Sequence, residues 1–328
     1  MARSRNTADT QTASGGPVSP FIAGKNKIIN GDFRIWQRGT SFSNPNNVYT
    51  ADRWVAGTDA TCTVSQQTFT PGAAPVSGYE GVFFYRSAKS AGGTYFQANQ
   101  KIEDVRAFAG QTITISFWAK ADSAITLAVQ GYQNFGSGGS TQVTALNTSV
   151  TLTTSWARYS VTTTLPSISG KTIGTSSYLM LPYFIYSGSG AFTLDIWGVQ
   201  VEVGSVATPF ETATGTIQGE LAACQRYYFR QTAAGITEPY AQGFAYNTTG
   251  GYAMVAIPSN MRVKPTAIEV SNVQISDWIN NIATTVTIGF CVSNNVWLNF
   301  SGTGYTGFRP YVLNASNATS HLGFSAEL

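Results

Sequence analysis

The sequence predicts an all-β protein: an antiparallel jelly-roll or β-sandwich domain, a short linking helix, and a second β domain at the C-terminal end. Three observations point to this. Charged residues are 11% of the 328-residue chain, against about 25% in ordinary soluble domains. The polar load falls instead on Ser, Thr, Asn, Gln and 33 glycines, with aromatics at 13%, a composition that suits strands and tight turns better than long surface helices. Period-two alternation then recurs along the chain, while one segment alone carries a clear helical period.

Residues 1–24 are rich in Ser, Thr, Ala and Gly and have no apolar period, so they read as an arm that a partner surface must hold. Residues 25–212 form the expected sandwich. In 111–120 (QTITISFWAK), Ile113, Ile115 and Phe117 share one face, with Thr112, Thr114, Ser116 and Trp118 on the other. Residues 124–132 alternate again through Ile125, Leu127 and Val129. Further strands are expected within 150–164 and over 192–203. The near-continuous apolar run at 178–186 reads as a strand buried on both sides.

The period changes over 213–231. Ile217, Leu221, Cys224 and Tyr228 recur at helical spacing, and Thr216 is placed to cap the N-terminus. A helix of about 15 residues is marginal alone, so it must pack within the subunit or pair with its own copies. Residues 232–328 return to strands, near 241–247, 252–257, 267–273, 283–292 and 296–301, and are crowded with aromatics.

Charge and chemistry exclude several functions. The 19 basic and 16 acidic residues leave a net +3 spread without a basic stripe, so nucleic-acid binding is not expected. The longest apolar stretch is too short to span a membrane, and the N-terminus lacks the apolar core of a secretory signal. Three scattered cysteines and a single histidine, His321, offer neither a zinc site nor a disulfide frame. Folding in a reducing cytoplasm fits this set. Nucleophilic catalysis lacks a base beyond His321, and the one adjacent acidic pair, Glu103 and Asp104, would point to opposite strand faces. Residues 169–172 (SGKT) imitate a phosphate loop without its upstream glycine and read as a turn. No enzymatic activity is expected.

Three stretches are more specific: 26–39 (NKIINGDFRIWQRG) with 49–54 (YTADRW), 151–164 (TLTTSWARYSVTTT), and 192–210 (FTLDIWGVQVEVGSVATPF). They resemble the opening, central and closing strands of the carbohydrate-binding-module-like sandwich of bacteriophage tail-fibre and appendage proteins. Residues 220–228 (ELAACQRYY) are similar to the linker that follows it there, and 323–328 (GFSAEL) to the chain end.

That resemblance implies a virion surface appendage, made in the host bacterial cytoplasm. It implies a homotrimer, attached to other virion proteins through an arm that includes Arg3, Arg5, Pro17 and Phe21. The helix residues Ile217, Leu221, Cys224 and Tyr228 are the expected oligomer contacts, and residues 232–328 the variable tip. Host cell-surface polysaccharide is the expected ligand. Trp118, Tyr132 and Trp156 in the sandwich and Trp278, Trp297 and Tyr305 in the tip are the candidate aromatic platforms. Relatives of this kind sometimes hold a structural Ca²⁺ between the opening and closing strands. Asp32 and Asp195 occupy the comparable places, and no other cofactor is expected. A capsid decoration or tail adaptor, and a polysaccharide-degrading fibre enzyme, are the alternatives.

Overall fold

The computed structural model describes residues 24–76, 79–277, 279 and 281–328. The arm residues Arg3, Arg5, Pro17 and Phe21, and the tip residue Trp278, lie outside the described residues.

The chain is all-β with one helix of the α type among the described residues. The sandwich strands are β1 (Ser41–Ser43), β2 (Val48–Tyr49), β3 (Trp54–Thr58), β4 (Cys62–Thr68), β5 (Phe83–Lys89) and β6 (Tyr95–Glu103). They continue as β7 (Thr112–Ala121), β8 (Ile125–Asn134), β9 (Val143–Leu152), β10 (Ala157–Thr164), β11 (Tyr178–Ser187) and β12 (Phe192–Val203). They form two six-stranded antiparallel sheets, ordered β1-β4-β5-β12-β7-β10 and β2-β3-β6-β11-β8-β9. The chain crosses repeatedly between the sheets, as in a jelly roll.

Alternation explains the packing. Ile113, Ile115, Phe117, Leu127, Val129, Phe184, Leu194 and Ile196 point between the sheets and form one buried core. The opening motif is scaffolding for that core. The Asn26 side chain donates to the Val199 carbonyl at 3.1 Å and accepts from the Val201 amide at 3.1 Å. Asn30, at φ +57°, donates to the Ile35 and Asp52 carbonyls at 2.8 and 3.1 Å. Gly31 is required there, because a Cβ would stand 2.2 Å from the Val199 carbonyl oxygen.

The helix, α1, covers Ile217–Gln225, and Thr216 caps it by accepting from the Gly219 amide at 3.1 Å. It is shorter than its sequence period suggests. Tyr228 opens the next strand rather than the last helical turn, and both Tyr228 and Cys224 are fully buried. Among the four stripe residues, Ile217 and Leu221 alone face solvent. The expected four-residue oligomer stripe is therefore corrected: half of it packs inside this subunit.

The tip strands are β13 (Tyr228–Thr232), β14 (Pro239–Ala245), β15 (Gly250–Ala256), β16 (Ala267–Ser271) and β17 (Val273–Ser276). After them come β18 (Asn281–Ala283), β19 (Thr285–Val292), β20 (Asn295–Ser301), β21 (Arg309–Ala315) and β22 (His321–Ser325). A seven-stranded sheet, β18-β17-β21-β14-β15-β20-β19, packs on a three-stranded one, β13-β22-β16. Leu298, Phe300, Tyr311, Leu313, Leu322 and Phe324 fill the space between.

Candidate functional site

The run 178–186 is not buried on both sides. It alternates: Leu179, Leu181 and Phe184 are buried, whereas Tyr178, Met180, Tyr183 and Ile185 sit half-buried on the outer face. Tyrosine and methionine count as apolar in a sequence window, which concealed the alternation.

This exposed face carries a polar and aromatic row running across five strands. Val55 of β3 faces Asn99 of β6, Asn99 faces Tyr183 of β11, Tyr183 faces Gln130 of β8, and Gln130 faces Asn147 of β9. In the next row Lys101, Met180 and Tyr132 stand opposite one another. The side chains hold each other in place. Tyr132 donates to Gln130 Oε1 at 2.7 Å, and Gln130 donates to Asn147 Oδ1 at 3.0 Å. Tyr183 donates to Gln97, and Gln97 in turn donates to Asn47. Gly57 makes room for that pair, since a Cβ there would meet the Gln97 and Asn47 side chains at 2.8 and 2.9 Å.

A groove of about 270 Å³ follows from this relief, and Asn47, Tyr49, Gln97, Asn99, Lys101 and Tyr178 are among the residues that line it. Tyr183 and Leu328 also line it, but no Asp or Glu side chain does. Burial pushes the Tyr49 hydroxyl up to about 12, with Glu327 adding to the effect. Burial also raises Tyr183, with help from Tyr132 and Tyr95. These hydroxyls are neutral donors at physiological pH. Asn99 Oδ1 is buried without a hydrogen-bond partner among the described residues.

The other sequence candidates fall elsewhere. Trp118 does project from the polar side of β7, yet it is buried. Phe69, Trp197 and Phe210 cover it in a separate aromatic cluster on the outside of the first sheet. It is therefore corrected from platform to core. Trp156 is half-buried at the same cluster, 5.5 Å from both Phe69 and Phe84. Tyr305 is also a core residue, donating to Thr284 Oγ1 at 2.9 Å. Trp297 is exposed on the outer face of the tip sheet, 4.4 Å from Tyr252. Tyr132 alone among the sandwich candidates reaches the groove face. Gln97 and Asn99 were readable from the alternation in 95–101 (YFQANQK), where Phe96 and Ala98 are the buried partners.

Asp32 and Asp195 do not share a site. Asp195 is held by Arg86 through two hydrogen bonds of 2.7 and 2.8 Å, with Lys120 at 3.6 Å. Asp32 lines a different, smaller cavity with Arg34, Tyr79, Thr216 and Glu220. A Ca²⁺ needs six to eight oxygens, and the carboxylate neutralised by Arg86 is not one of them. The pair does not fit the ion.

Burial instead raises Asp32 to about 6, opposed by Arg34 and aided by Glu220. The native state thus favours the neutral carboxyl, and stability falls as pH rises from about 4 to about 6. Asp32→Asn removes that penalty. Each pH unit of displacement is worth about 1.4 kcal/mol, so denaturant titrations at neutral pH should show a gain of up to roughly 3 kcal/mol. The gain should vanish near pH 4, to within about a unit.

No family model matches this sequence, and no curated protein does. Solved structures with related strand arrangements include the enzymatically active domain of bacteriophage CBA120 tailspike protein 4. It is 15% identical over 57% of this chain and 24% of that one, at a TM-score of 0.36. A family 4 carbohydrate-binding module is 21% identical over 54% of this chain and 100% of its own, at 0.33. The xylan-binding CBM22-1 domain from Paenibacillus barcinonensis Xyn10C is 14% identical over 57% of this chain and 100% of its own, also at 0.33. The chain spans about a quarter of the tailspike domain. All three are distant in shape, and the jelly-roll assignment rests on the sheet order itself.

Proposed function

We propose that this protein is a non-catalytic virion appendage whose sandwich recognises uncharged stretches of a bacterial surface polysaccharide through the outer face of β6, β11 and β8. The observation that carries the reading is the cross-sheet row of Asn99, Tyr183, Gln130 and Asn147 beside the groove. A sugar ring offers a C–H face to an aromatic and hydroxyls to amides. Pre-ordered amides and tyrosines lose little entropy when they engage them.

The absence of an acidic side chain from the groove lining supports a binding role, because glycoside hydrolysis ordinarily uses a carboxylate pair. Attachment to the particle through residues 1–24, and folding in the host cytoplasm, belong to the same proposal. The free cysteines Cys62, Cys224 and Cys291 are compatible with a reducing compartment.

Single contacts of this kind are weak, about millimolar or roughly −4 kcal/mol, and several copies on one particle would multiply them. The test is titration of the full chain with neutral oligosaccharides released from host surface polymer, followed by NMR or calorimetry. Tyr183→Ala should weaken binding by about tenfold, or roughly 1.4 kcal/mol, without changing the fold. Equal affinity of the variant and the parent would remove the groove from the proposal. A fall in polymer viscosity on incubation would overturn the non-catalytic reading, and labelling of virions with an antibody to this chain tests the location.

A further inference from the structure

The end of β5 breaks the pattern that builds the core. Its inward positions are Tyr85, Ser87 and Lys89, and all three are buried, Lys89 to 2% exposure. Phe192 and Cys62 stand opposite Lys89 on the neighbouring strands, and both are buried as well. A lysine at a core-facing position gives up its hydration, which is costly unless other groups replace the water. Among the described residues, no carboxylate lies within salt-bridge distance of its ammonium.

The replacement is a cage of backbone carbonyls. Lys89 Nζ donates to the Gly92 carbonyl at 2.6 Å, to Gly190 at 3.2 Å, and to Ser90 and Gly188 at 3.3 Å each. An ammonium has three N–H bonds, so the four oxygens share them around one charge. The Tyr186 ring, packed on Phe192 with centroids 4.5 Å apart, adds an aromatic group 5.9 Å from Nζ.

The carbonyls come from two loops. Residues 90–94 lead into β6, and residues 188–191 lead from β11 to β12. The loops are laced together: the Gly92 amide donates to the Ser189 carbonyl at 2.8 Å, and the Gly188 amide to the Thr94 carbonyl at 2.8 Å. Gly92 holds φ at +100°, a conformation that a side chain resists. Asp59 secures the neighbouring chain, accepting from the Thr94 hydroxyl at 2.6 Å and the Tyr95 amide at 3.1 Å.

Neutral oxygens converging on one positive charge do what carbonyls do when they replace the hydration shell of a potassium ion. Calcium prefers six to eight oxygens, with carboxylates among them. Neither loop contains an acidic residue. The set therefore suits a singly charged ion of ammonium size.

We propose that this cage is a monovalent-cation site whose resident occupant is the Lys89 ammonium, tethered by its own chain. Because the ion is part of the protein, the site stays filled whatever the salt outside. The cage fixes the point where β6 begins and β11 ends, since Tyr95 and Ser187 face each other there. These are the strands that carry Asn99 and Tyr183, yet the proposal does not depend on the groove binding sugar.

The experiment is thermal unfolding of the full chain in KCl and in choline chloride at equal ionic strength. The parent should unfold at the same temperature in both. Lys89→Ala empties the cage and, in choline chloride, should unfold lower by roughly 4 °C or more. KCl should recover a large part of that loss, growing with the logarithm of its concentration as for any ligand of the folded state. Lys89→Met keeps the bulk of the stem without the charge, so it should be destabilised and indifferent to the salt. A Lys89→Ala variant that unfolds alike in both salts would overturn the proposal, as would a Lys89→Met variant as stable as the parent. If Lys89→Ala does not fold in either salt, NMR of the parent's lysine ammonium groups decides. The Lys89 Nζ protons should exchange with water more than about tenfold more slowly than those of exposed Lys27. Equal exchange rates would show an ammonium open to solvent and sink the cage.

Discussion

Glu327→Ala is expected to lower the unfolding free energy by about 3–5 kcal/mol, the usual cost of stranding a buried charge. Arg53 is 1% exposed, and its guanidinium pairs with Glu327, whose side chain is 6% exposed. Arg38 Nη1 approaches the same carboxylate at 3.5 Å. The Arg53 guanidinium also lies 3.5 Å from the Tyr227 ring centroid and donates to the Lys101 carbonyl at 2.7 Å. Neither contact supplies a negative charge. Removing Glu327 therefore leaves the Arg53 cation at the junction of sandwich and tip with no other carboxylate within salt-bridge distance among the described residues, since Glu269 pairs with Arg38.

Equilibrium denaturation in urea checks the loss. The double variant Arg53→Met with Glu327→Leu separates its two sources, because an apolar pair of similar bulk should recover most of it. If the double variant is as weak as Glu327→Ala, packing rather than the orphaned charge was responsible. The pair also ties the last residues to the groove. The Leu328 carbonyl accepts from the Tyr49 hydroxyl at 3.0 Å and from Lys101 Nζ at 2.6 Å, beside the groove residues.

The fold was legible because alternation marks which side of a strand faces the core between the sheets, as Ile113, Ile115 and Phe117 or Leu127 and Val129 do. Strand β13 was not, because Tyr228 continues the helical spacing of Ile217, Leu221 and Cys224 by coincidence of register. The groove was half legible. Tyr132 alternates with Val129 and Gly131 in a clear strand, whereas Tyr183 hides in a run where outward and inward residues are both large. Trp118 shows a different limit. Its side of the strand was read correctly, but what covers that side comes from Phe69, Tyr79, Phe84 and Phe210, which no local pattern connects to it.

That cover yields the other large effect: Trp197→Ala should cost about 3–5 kcal/mol. Trp197 is fully buried at the centre of the outer cluster, with ring centroids of Phe210 at 5.1 Å, Trp118 and Tyr79 at 5.4 Å, and Phe69 at 6.0 Å. The chain at Gly81 closes against it, since a Cβ there would stand 2.9 Å from the indole. The indole N–H has no hydrogen-bond partner among the described residues, and Trp197→Phe should keep much of the stability that Trp197→Ala loses through packing. Because the cluster lies on the opposite sheet from the groove, Trp118→Ala should also lower stability while leaving oligosaccharide affinity at its parental value. Thermal unfolding and sugar titration on the same preparations decide between the two roles of Trp118. A stable variant that has lost binding would return it to the sugar site; a destabilised one that still binds fixes it as the roof of a second core.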